Sequence, residues 1–92
     1  MRNGHNLFER ITEQFTASDA APHQTIIEIV EDKRVLIENH QGVIAYGREK
    51  IIVKVLFGHV CICGKQLELM QITKDHLVIL GRIEAVTMQR RD

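Results

Sequence analysis

Three residues at alternate positions, His59, Cys61 and Cys63, come nearest to a ligand set for a metal ion in this chain. Alternate residues of an extended strand point to one face, so an imidazole and two thiols would be presented together. Zinc sites, however, normally use two separated ligand pairs of the C-x-x-C kind to wrap a tetrahedron. On a stiff strand rising about 3.3 Å per residue, H-x-C-x-C spaces its ligating atoms about 6–7 Å apart, too far for one ion unless a bulge intervenes. The same spacing keeps the two cysteines from bonding easily to each other. The reading is that both act as small buried hydrophobes, with no metal and no cofactor held. Two unpaired thiols suit a reducing cytosol.

Other chemistry is thin. The five histidines, His5, His23, His40, His59 and His76, fall in different turns or strands, and Ser18 is the only serine. No Ser-His-Asp constellation can be assembled from these. The six glycines are scattered singly, so no phosphate-cradling loop is present. The expectation is a protein that is not an enzyme. One polar run does stand out: Glu38-Asn39-His40-Gln41-Gly42. Asn and Gly tolerate the left-handed backbone that tight turns need, and a hairpin turn accounts for them. The functional alternative is a polar tip that a partner recognises, with Glu38, Asn39, His40 and Gly42 as its candidate residues.

The elements that must position these groups are strands. From Ile51 to Leu69 the apolar residues keep a two-residue beat: Ile51, Val53, Val55 and Phe57, then Val60 and Ile62, then Leu67 and Leu69. Such sets line one face and can close a core. From Thr25 onward the period is two throughout. Thr25 to Val30 forms a first strand, with Glu31-Asp32-Lys33 as its turn. Three units then follow, starting at Val35, Val60 and Leu77, each read as a hairpin turning at Asn39, Gly64 or Gly81. Thr73-Lys74-Asp75 is the turn before the third. Ile52, Leu56, Val78 and Leu80 make the opposite faces apolar too, which argues for two packed sheets, a covering helix or a partner. The predicted fold is all-β: a small antiparallel sandwich or meander of about seven short strands, preceded by a short N-terminal helix.

That helix opens at Asn6, which can cap it while Glu9 bonds back. Leu7, Phe8, Ile11 and Phe15 give it one apolar stripe, fit either for a lid on the sheet or for docking to a membrane or partner. Thr16 to Gln24 is small and polar and carries the only proline, Pro22. Residues 1–23 are therefore read as a mobile arm and residues 24–92 as the β domain.

Composition bounds the rest. Ninety-two residues make one domain with a thin stability margin. Only four aromatics and no Trp are present, so the core is aliphatic, and a shared core in a homodimer is a natural expectation. Twelve basic residues balance twelve acidic ones, poor equipment for nucleic acid. No secretory leader is visible, and no apolar run is long enough to cross a bilayer as a helix. A soluble, cytoplasmic chain is expected.

Ile37-Glu-Asn-His-Gln-Gly-Val43, then Tyr46, a charged turn, the Ile51–Val55 strand and Gly58-x-Val-x-Ile-x-Gly64 resemble the YabP/YqfC family of endospore-formation proteins. The closing ITKDHLVILGRIEAV is similar to that family's final hairpin, and IENHQG leans toward the YqfC branch. Pro22-His-Gln-Thr-Ile26 and Met88 depart from that branch, which tends to have Pro-Arg-Ile and a final aromatic there. The resemblance implies a small non-enzymatic β protein in the mother-cell cytoplasm of a sporulating bacterium, peripheral to the forespore membrane. It would act in forespore envelope or spore coat assembly beside a membrane-protein partner. A second resemblance, to Sm-like ring proteins that bind RNA, rests on the helix-then-strands pattern. Met70-Gln-Ile-Thr73 stands where that family's base-binding loop would be, without its residues. A dimeric structural domain outside sporulation is the remaining alternative.

Overall fold

Each core strand buries alternate residues, and in two strands of unusual length the alternation is interrupted part-way along. A computed structural model describes residues 24–91 of the chain. Six strands run in order: β1 (Ile26–Val30), β2 (Arg34–Glu38), β3 (Val43–Tyr46), β4 (Lys50–Val55), β5 (Gly58–Thr73) and β6 (His76–Arg90). They form one antiparallel sheet in the order β1-β2-β6-β5-β4-β3. Strands β3 to β6 are a meander, and the β1–β2 hairpin adds to the free side of β6. No helix occurs among the described residues. The expected N-terminal helix and arm lie outside them.

A sheet without helices must cover its own apolar face, and here it does so by bending. Val35, Ile37, Leu77, Ile79 and Leu67 come from the β1–β2 half, while Ile51, Val53, Val55, Val60, Ile62 and Ile83 come from the β3–β4 half. All eleven are buried in one cluster, so the two halves face each other across it. Full burial of each aliphatic side chain stabilises by about 1.5–3 kcal/mol, which makes this face the main source of stability.

The bend is made in the β5–β6 hairpin. Register shifts occur between Cys63 and Gly64 and between Lys65 and Glu68, and Gln66 takes a positive φ of 52°. Gly81 on the neighbouring strand has φ 137°, and a Cβ there would lie 2.7 Å from the carbonyl oxygen of Gln66. A Cβ on Gly64 would collide with the Arg82 carbonyl. Only glycine lets the two backbones approach this closely while bulged. Two turns then clamp the bends. Gly64 and Leu67 donate to the Glu49 and Arg48 carbonyls at 3.0 and 2.8 Å, and Gly81 and Ile83 donate to Lys33 and Asp32 at 3.3 and 2.7 Å.

These observations correct the sequence reading in two respects. The described residues form six strands in one folded-over sheet, and two of them span sixteen and fifteen residues. Gly64 and Gly81 are bends inside long strands, and Asn39 does not turn a hairpin either. Strand β2 pairs with β1 and β6, whereas β3 lies at the far edge of the sheet beside β4. The turns expected at residues 31–33 and 73–75 are present.

Candidate interaction site at the crossing loop

Because β2 and β3 lie in opposite halves of the folded sheet, residues 39–42 must carry the chain across between them. The loop is tied at both ends. Asn39 and His40 donate their backbone N–H groups to the Asp75 carbonyl at 2.7 and 3.3 Å. Gln41 donates to the Lys54 carbonyl at 2.7 Å, and Lys54 donates back to Gly42 at 2.8 Å. Asn39, at φ 66°, also donates its side-chain amide to the Gln24 carbonyl at 2.6 Å, holding the start of β1. Gly42 has φ 127° with open space where a Cβ would stand, so backbone conformation alone selects glycine there.

His40 is the one buried polar residue among the described residues, 7% exposed. Its Nδ1 accepts from the Gly42 N–H at 2.9 Å, which places the proton of the neutral ring on Nε2. That nitrogen is buried without a partner. Burial lowers the His40 pKa below its ordinary value; Asp75 opposes the shift and His76 adds to it.

Beside the loop stands the β5–β6 turn. Glu38 pairs with His76 in register across β2 and β6, placing a Glu38 oxygen 3.7 Å from His76 Nε2. Asp75 Oδ1 lies 3.4 Å from His76 Nδ1. Thr73 donates its hydroxyl to Asp75 at 3.1 Å, so its 2.7 Å contact with His76 Nδ1 is one in which the imidazole N–H donates. His76 thus lies between two carboxylates. The arrangement suits recognition by charge and hydrogen bonding.

Glu38, Asn39, His40 and Gly42 therefore stay together, but His40 faces inward and the exposed polar surface is completed by Thr73, Asp75 and His76. Sequence reasoning treated that second segment only as a turn. The β2–β6 register that brings it alongside is set by strands forty residues apart and has no local signal. Next to this surface the outer face of the sheet is apolar: Leu36, Val78 and Met70 align across β2, β6 and β5, and Met70 and Ile72 are at least half exposed.

The cysteines lie elsewhere. Val60 and Ile62 point into the core, so Cys61 and Cys63 point outward from β5, each half-buried. Their sulfurs are 3.8 Å apart, closer than a regular strand implies, because the bulge follows directly on Cys63. They are outer-face thiols and not core hydrophobes. Burial and the neighbouring Cys63 push the Cys61 thiol pKa up, with Lys50 opposing. Among the described residues, no three His, Cys, Asp or Glu side chains form a group fit for a metal ion. A groove of about 550 Å³ between the two clamping turns is lined by charges of both signs, including Asp32, Lys33, Arg48, Glu68 and Arg82.

No curated protein and no solved structure matches the chain. The model of the YabP family does match, over residues 21–92, and so takes in every described strand and the crossing loop. The match is to the family as a whole and does not separate the YqfC branch, and it fits a sporulation-related protein. The chain belongs to the YabP family.

Proposed function

We propose that this chain is a non-enzymatic interaction module that acts in forespore envelope or spore coat assembly, from the mother-cell cytoplasm and beside a membrane-protein partner. Family membership is the observation that carries the reading. The surface around Glu38, Asn39, Asp75 and His76, flanked by Met70 and Ile72, supports it. A polar rim beside exposed apolar side chains is the usual make-up of a partner-binding patch. No helix among the described residues is long and apolar enough to cross a membrane, so a partner would supply attachment. The IENHQG run favours the YqfC branch.

The test is a tagged chain expressed in a sporulating cell, purified with its membrane fraction. The wild-type chain brings down a membrane protein of the sporulation programme, and a Glu38→Lys, Met70→Asp double variant loses it while its melting temperature holds. Equal recovery by the variant removes this surface from the reading. Normal spores from a strain lacking the chain would remove the function. The Sm-like alternative has little support from the outer surface, where Tyr46 is the only exposed aromatic among the described residues and base stacking has no platform.

A further inference from the structure

We propose that Cys61 and Cys63 form a two-thiol chelating site for one soft, thiophilic metal ion on the outer face of the sheet. The sulfur separation carries it. Two metal–sulfur bonds of about 2.3 Å at a tetrahedral angle span about 3.8 Å, and the thiols stand 3.8 Å apart, in weak hydrogen-bonding contact with each other. The bulge after Cys63 supplies the distortion that a straight strand lacks.

The same geometry argues against a disulfide as the purpose of the pair. Residues two apart on a strand have Cα atoms about 6.6 Å apart, near the upper limit of about 6.8 Å for a disulfide. Strand β5 is held on both sides here, by Lys50 and Ile52 of β4 and by Ala85 and Thr87 of β6, so the Cα atoms are not free to close. An ion between the sulfurs needs no such movement.

The surroundings set the class of ion. In the ladder Cys61 lies between Ile52 and Thr87, and Cys63 between Lys50 and Ala85. No carboxylate or imidazole is among these four, and His59, two residues before Cys61 on the same strand, makes no three-ligand group with the pair, so the chain gives two sulfurs and solvent completes the shell. Hard cations such as magnesium or calcium prefer oxygen ligands; soft d10 ions and trivalent arsenic accept thiolates. On binding, two metal–sulfur bonds replace two metal–water bonds, both S–H bonds break, and the two protons pass to solvent. Nothing is oxidised.

Titration of the reduced full-length chain with cadmium(II) tests the site. The expected result is a sulfur-to-cadmium charge-transfer band in the near ultraviolet that saturates at one ion per chain. Cys61→Ser and Cys63→Ser each weaken binding by more than about 100-fold, since loss even of a group that only supports a ligand costs about 10–100-fold. An unchanged band in either variant, or saturation at one ion per two chains, overturns the chelate. Should a variant not fold, the wild-type chain still decides. One equivalent of phenylarsine oxide, whose oxygen leaves as water with both thiol protons, must block both thiols to a thiol reagent. Two thiols left reactive overturn the proposal as well.

Discussion

At His40 a single imidazole decides how the loop responds to acid. Its Nδ1 must be unprotonated to accept from Gly42, and its Nε2 sits buried without a partner. The pKa in the folded chain is therefore below the ordinary 6.5. As pH falls through 6.5 the unfolded chain takes up a proton that the folded chain resists, so stability declines from there toward the folded pKa. Above 6.5 this residue contributes no pH dependence. Urea midpoints at pH 7.5 and 5.5 should fall further for the wild-type chain than for a His40→Gln variant. Equal slopes would show that the buried ring does not matter. Asn39 and Gly42 were legible from sequence as positive-φ positions because residue type alone reports that. The inward turn of His40 was not, since it depends on a crossing between sheet halves.

The long β5–β6 hairpin is the element on which the fold depends. Alternation identified the buried side chains of β5 and of its neighbour β4: Ile51, Val53, Val55, Val60, Ile62 and Leu67 are in the core, with Phe57 and Leu69 packed against it. It did not distinguish a turn from a bulge, because glycine relieves the same steric limit in both. The choice was made by pairing partners distant in sequence. Gly81→Ala places a methyl group against Gln66 and Leu67 backbone at positive φ. It should cost at least about 3 kcal/mol, at the upper end of ordinary overpacking because the obstacle is main chain. Thermal unfolding reads this directly. Loss below about 1 kcal/mol would mean that the bend can relax, contrary to the tight approach seen here.

For the molecule as a whole, the sheet has two edge strands, β1 and β3, each paired on one side only among the described residues. Val43, Ile44 and Tyr46 are exposed on the second, and unguarded edges of this kind invite pairing with another strand. A homodimer, proposed from the small aliphatic core, would have its most direct route there. Sedimentation at about 100 µM should give a mass above the 10.6 kDa of one chain, and Ile44→Lys should return it to one chain without lowering the melting temperature. A wild-type monomer at that concentration would assign this edge to a different partner or to none. Composition foretold an aliphatic core; only the strand order showed which strands lie at the edges.

The turns at 31–33 and 47–49 each reach over a bend and accept two amide protons from it, one turn in each half of the sheet. Neither half can therefore peel away alone, since opening one releases the hairpin that both share. Isotope exchange should report this coupling: the amide protons of Gly64, Leu67, Gly81 and Ile83 should trade with deuterated solvent at one common rate, that of complete unfolding. A faster pair on either strand would reveal two cooperative units where the hydrogen bonding implies one.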